Sequence, residues 1–321
     1  MSDNPATIGD AIARLDLEGL SWLADAPLFI DREQVEAFYD AIARPETKSG
    51  SVQTTRTVVN DLQAKLGAGA EATAKFPKLL RLFPFLDAEA KLSLSAEADA
   101  QHTDQSVKHS EYLPIDTPQR QLVRLALHYF TKWEDRTVLV SKDAYPGEGW
   151  WGPSFSAVTP RALVFIDFPA HTLFIPAAAE VASGQVVLIF PRLQEAYARP
   201  GETLPPPYPG SEANVSETED AERQTAYWQW FTERMREKPN KATKAVEDTI
   251  AQGGGRVEWI DYRVPLRLGL KPLHLHVCGR GAYDTGTFAY NLVQRGYRHG
   301  LRVVGTLKSE PDLNVLAIFE K

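Results

Sequence analysis

Leu273-His274-Leu275-His276-Val277-Cys278 alternates aliphatic and polar side chains without a break. Successive side chains of a strand point to opposite faces. The pattern therefore predicts a strand, taken to run over 270–278, with the aliphatic residues on one face and His274, His276 and Cys278 on the other. Outward from it, 256–264 is a second strand-like stretch, 285–295 has helical spacing, and 301–308 and 313–319 are rich in Val, Leu and Ile. Strand, strand, helix, strand, strand predicts an α+β fold with a mixed, mainly antiparallel sheet and packed helices.

Further strands are expected at 26–30, 138–140, 162–168, 172–175 and 185–190. Residues 7–23 read as a short helix and turn. Asp31 is placed to cap a helix in which Val35, Phe38, Tyr39 and Ile42 fall at i, i+3, i+4 and i+7. Thr117-Pro118 is a cap followed by a proline at the first helical position. Leu122, Leu125, Ala126, Tyr129, Phe130 and Trp133 make the apolar stripe of the helix it opens. Helical periodicity returns near Ala221, with Tyr227, Trp230, Phe231 and Met235, and again at 242–250.

The longest alternations lie elsewhere. From Leu62 to Phe76 every even position is apolar and every odd one polar or glycine, and from Asp87 to Gln101 the rule repeats. With 43% apolar residues, one such window arises by chance roughly 2 times in 100,000. An alanine-rich helix is the competing reading. A period of two smears the apolar residues around a helix, however, and Gly67 and Gly69 cost it about 1 kcal/mol each. The pattern predicts a long amphipathic β-hairpin over 61–102. Its charges set Lys75 opposite Asp87, Glu71 opposite Lys91 and Lys65 opposite Glu97.

The tip, 77–86, is apolar and bracketed by proline. Phe76, Leu79, Leu80, Leu82, Phe83, Phe85 and Leu86 are the candidate contacts with a membrane or protein partner, and Lys78 and Arg81 suit an anionic surface. The same hairpin could pack in a soluble core or exchange between protomers of a homo-oligomer.

The 321 residues carry a net charge of −7 from 35 basic and 42 acidic side chains, which does not favour nucleic acid as a partner. A start without a basic, then apolar, leader and a single cysteine, Cys278, lead to the expectation of a cytoplasmic protein, peripheral to a membrane if the tip engages one. The expected organisation is an N-terminal segment 1–50, the hairpin region 51–110, a main α+β domain from 111–198 and 221–321, and a Pro-rich flexible loop at 199–220.

Two imidazoles and a thiol on one strand face, His274, His276 and Cys278, form a candidate ligand face. They could supply zinc or iron ligands, with Asp261 or Glu258 on a neighbouring strand. A strand with one core face and one polar face explains them equally. Cys278 as a nucleophile would need His276 or His299 beside it. The loop 279–286 matches neither a dinucleotide fingerprint nor a P-loop. Trp150 and Trp151 lie in a glycine-rich loop suited to stacking or packing. No paired carboxylate, triad or HExxH pattern is present, so no cofactor is expected and no catalytic residue is assigned.

Pro27-Leu-Phe-Ile-Asp-Arg-Glu-Gln-Val-Glu-Ala-Phe-Tyr-Asp-Ala-Ile42, together with Leu82-Phe-Pro-Phe-Leu86, resembles the opening of a bacterial family of domains of unknown function. The resemblance implies a strand–helix start and a Gly/Ala/Ser-rich segment around an apolar tip. It brings the expectation of a defence or stress effector but no activity. The sequence thus points first to a non-enzymatic protein acting through its hairpin. An enzyme or metal-binding domain centred on His274, His276 and Cys278 is the alternative.

Overall fold

Leu273, Leu275 and Val277 are almost fully buried and His274, His276 and Cys278 half-buried, so the central strand forms with the faces its alternation predicts. The computed structural model describes residues 22–23, 25–42, 117–141, 161–181, 184–205, 216–252, 257–265, 272–279, 282–283, 288–309 and 312–321. The expected hairpin at 61–102, its tip and the Trp150–Trp151 loop lie outside the described residues. Backbone contacts divide the chain into two units, Met1–Ala26 with Glu33–Asp135, and Pro27–Arg32 with Arg136–Lys321.

In the first unit, helix α1 (Arg32–Ile42), which this unit holds from Glu33 onward, buries Val35 and Tyr39. Helix α2 (Pro118–Lys132) begins as expected. Thr117 is extended, its side chain accepts the Arg120 backbone N–H at 3.3 Å, and Pro118 supplies a preset φ where no N–H is needed. Leu122, Leu125, Ala126 and Tyr129 are buried. Phe38 of α1 stacks on Tyr129 of α2 with ring centroids 6.2 Å apart.

The second unit is built on one sheet of ten strands among the described residues. In chain order these are β1 (Phe29–Ile30), β2 (Thr137–Ser141), β3 (Leu163–Phe168), β4 (Ile175–Val181), β5 (Val186–Leu188), β6 (Val257–Val264), β7 (Leu273–Cys278), β8 (Ala282–Tyr283), β9 (Leu301–Ser309) and β10 (Asp312–Glu320). Its order is β2-β3-β9-β10-β7-β6-β4-β5, and β1 pairs with both β10 and β8. Only β2–β3 and β7–β10 are parallel, so the fold is α+β with a mixed, mainly antiparallel sheet.

Among the described residues, four helices belong to this unit: α3 (Phe190–Tyr197), α4 (Glu217–Glu237), α5 (Asn240–Gln252) and α6 (Phe288–His299). Leu193, Phe231, Val246 and Leu292, one from each, join Val164, Ile260, Leu275, Val303 and Val315 in a single apolar core. Each such residue contributes about 1.5–3 kcal/mol by leaving water. The chain passes from α6 to β9 through Gly300, at φ +80°, where a Cβ would lie 2.3 Å from the Phe168 carbonyl oxygen. Both the dihedral and the space require glycine.

Three local expectations differ from the structure. Gln185-Val-Val-Leu-Ile-Phe190 reads as one strand, but β5 covers Val186–Leu188 and Phe190 opens α3. Pro191, lacking an N–H, is suited to a first helical turn, and Phe190, Leu193 and Tyr197 then face the core at helical spacing. Strand β4 covers Ile175–Val181 rather than 172–175. Its Pro176 and Ala177–Ala179 hide the strand in the sequence, and the proline is accommodated at a register shift against β6. The stretch 199–220, read as a Pro-rich loop, is shorter at its far end, because 199–205 holds no helix or strand but α4 already covers 217–220. Glu202 accepts hydrogen bonds from Arg199 N–H, Trp230 and Arg234, and Ser216 caps α4 from Glu217 onward.

Candidate functional site

Strand β7 lies between β6, antiparallel, and β10, parallel. Asp261 stands opposite His276, Arg263 opposite His274 and Trp259 opposite Cys278 on the β6 side. On the β10 side Asp312 stands opposite His274 and Asn314 opposite His276. Strand β6 has its own alternation, with Ile260, Tyr262 and Val264 buried and Trp259, Asp261 and Arg263 on the half-buried face. One polar sheet face thus carries Trp259, Asp261, Arg263, His274, His276, Cys278 and Asp312. Glu180 of β4, directly opposite Trp259, extends it.

Each histidine is tied to its own carboxylate. His276 Nδ1 lies 2.9 Å from Asp261 Oδ1, and His274 Nδ1 lies 2.8 Å from Asp312 Oδ1. An ionised carboxylate only accepts, so each ring donates an Nδ1–H to it, and a ring in its neutral form then carries its lone pair on Nε2. The rings lean to opposite sides, His276 towards β6 and His274 towards β10. Among the described residues, no three His, Cys, Asp or Glu side chains are grouped to hold a metal ion. The metal version of the sequence reading therefore finds no converging donor set there.

The two imidazoles also differ electrostatically. Burial, and then the charge of Arg263, push His274 down to about 4, outweighing the opposite pull of Asp312 and Asp261. His274 is therefore a neutral acceptor at physiological pH. His276, 30% exposed at its side chain, lies against the Trp259 indole with ring centroids 4.9 Å apart. The indole N–H is in turn bonded to Glu180 Oε2. Arg263 Nη2 sits 3.9 Å from Asp261 Oδ2, which adds positive charge on the far side of that carboxylate.

Cys278 is half-buried beside Trp259, two strand positions or about 6.6 Å from His276 along the backbone. The strand then turns at Gly279, whose N–H donates to Glu258 O at 2.7 Å. A Cβ there would lie 2.0 Å from Val257 O, so only glycine lets β7 close onto β6 at this point. His299, the other imidazole considered for Cys278, is exposed in the last turn of α6.

The sequence singled out His274, His276 and Cys278, which share the face, and offered Asp261 or Glu258 as a further metal ligand; Asp261 instead accepts the His276 Nδ1–H. Trp259 and Arg263 carry a signal that was available, the alternation of β6. Asp312 and Glu180 join the site only through strand pairing. The tip residues Phe76, Lys78, Leu79, Leu80, Arg81, Leu82, Phe83, Phe85 and Leu86 lie outside the described residues. No helix among the described residues is long and apolar enough to cross a membrane. No family model, no curated protein and no solved structure matches this chain.

Proposed function

We propose that the protein is an enzyme working by general-base catalysis on the β7 face, with His276 as the base and Asp261 as the residue that positions it. The observation carrying this reading is the 2.9 Å contact of His276 Nδ1 with Asp261 Oδ1. It fixes the tautomer and leaves Nε2 as a proton acceptor on a half-exposed ring. A water or substrate hydroxyl attacking an electrophilic centre gives its proton to Nε2, and the Asp261 carboxylate stabilises the imidazolium that results. A base so placed is worth about 10²–10⁴-fold in rate.

The full chain is tested against chromogenic esters, thioesters and phosphoesters, alongside diethyl pyrocarbonate acylation of each histidine read by mass spectrometry. The reading expects turnover that falls about 10²–10⁴-fold in His276→Gln. It also expects His276 to be acylated faster than the exposed His171 and His299. Turnover indifferent to His276→Gln, or a His276 no more reactive than those two, refutes it.

A different observation favours a second reading. The unbroken alternations at 62–76 and 87–101 around an apolar, dibasic tip support a hairpin that engages a membrane surface or protein partner, with the α+β unit as its holder. Dye release from anionic liposomes that disappears on removal of 77–86 supports it. Membrane and partner binding unchanged by Leu82→Asp with Phe83→Asp removes it.

A further inference from the structure

His276 touches one group that the general-base reading leaves without a task. Trp259 and His276 are diagonal neighbours across β6 and β7, because Trp259 pairs with Cys278 and Asp261 with His276. Diagonal positions about 7–8 Å apart are within reach of an aromatic ring. The indole uses that reach, lying 4.9 Å from the imidazole at an interplanar angle of 36°. A lone tryptophan on a half-exposed face has several rotamers open to it. This one is tethered. Glu180, directly opposite it in the β4–β6 register, accepts its Nε1–H through Oε2. A charged acceptor roughly doubles the strength of such a bond.

We propose that Glu180 is a positioning residue of this site, acting through Trp259. Its carboxylate fixes the indole, and the indole holds the His276 ring where Nδ1–H meets Asp261 and Nε2 stays open. The inference rests on the reading of His276 as the base. Asp261 restrains one atom of the ring, and a single hydrogen bond leaves the ring able to pivot about it. The indole restrains the plane. Without it the imidazole swings off Asp261 towards solvent and relaxes to the Nε2–H tautomer, which blocks the lone pair the base needs. Glu180, Trp259, His276 and Asp261 are thus a chain of contacts across β4, β6 and β7, each link aimed by the one before.

The experiment is long-range ¹H–¹⁵N NMR of the full chain labelled at histidine, with the His276 resonance assigned from His276→Gln. Wild type is expected as the Nδ1–H tautomer. Glu180→Ala is expected to lower the ratio of Nδ1–H to Nε2–H about two- to tenfold, the worth of one aromatic pair. Glu180→Gln, which keeps a carbonyl acceptor for the indole, is expected to restore it. Trp259→Phe keeps a ring but loses the N–H, and should reproduce the Glu180→Ala spectrum even if that variant folds poorly. A folded Glu180→Ala or Trp259→Phe with the wild-type tautomer overturns the role of Glu180. If Asp261→Asn still shifts the tautomer, the base reading survives that result. An Nε2–H tautomer in the wild type overturns both.

Discussion

Replacing His274 with asparagine separates its charge from its hydrogen bond. The asparagine amide stands where Nδ1–H stands and can still donate to Asp312, but it does not titrate. In the wild type, burial and Arg263 hold the folded imidazole at about 4, against 6.5 for the ordinary side chain. Between those two values the unfolded chain carries a proton that the folded chain refuses. Stability is therefore complete above about pH 6.5 and is lost as the pH falls towards 4. At about 1.4 kcal/mol per pH unit, the loss approaches 3 kcal/mol at the acid end. The ring is 23% exposed, which makes this an upper figure.

Urea unfolding of both proteins at half-unit steps from pH 7.5 to 4.5 isolates the effect, because other titrating groups are shared. The wild type should lose about 2–3 kcal/mol relative to His274→Asn across that range. Parallel curves would refute the reasoning. A wild type that gains on acidification would reverse it, making the bond to Asp312 stronger than burial and Arg263 together.

Two further outcomes follow from close contacts. Gly279→Ala forces a Cβ into the Val257 carbonyl and should destabilise the chain by about 1–3 kcal/mol, read as a lower Tm. It should also speed alkylation of Cys278 as the end of β7 lifts from β6. An unchanged Tm and thiol reactivity would contradict the approach described. Tyr197→Phe removes a hydroxyl that accepts from Ala242 N–H at 2.9 Å and donates to Lys238 O at 2.8 Å. Lys238 O keeps the Lys241 N–H at 3.2 Å, but leaving the buried Ala242 N–H unpaired should cost about 1–3 kcal/mol in urea unfolding. Burial pushes that hydroxyl up to about 12 despite the Ala242 bond, so the cost should be the same from pH 6 to pH 9.

What could be read from the chain was whatever is written in one element at a time. The alternation at 273–278 declares its own two faces, and Thr117-Pro118 declares the start of α2, because each signal is local. Helix α3 was hidden since the five apolar residues before Pro191 look like a strand until the core on their helical side is known. Alanines at 177–179 gave β4 little strand character, and its place between β5 and β6 supplied the rest. The site divides the same way. His274, His276 and Cys278 are neighbours in sequence, whereas Asp312 and Glu180 arrive through pairings that no local pattern encodes.

Strands β9 and β10 sit in the middle of the sheet order and are the last two strands in the chain. In the pairing order of the described strands, β2 and β3 on one side and β7, β6, β4 and β5 on the other are joined through this final hairpin. During synthesis the two halves, and β1 near the other end of the chain, emerge long before the piece that unites them. Strand β1 in particular must wait for a partner made almost a whole chain length later. Such non-local closure is slow, and it leaves open strand edges for other chains to find. The sheet of the second unit is thus closed only once β10 has been made, and the synthesis of that strand, rather than any early helix, sets when the His274–Asp312 contact first exists.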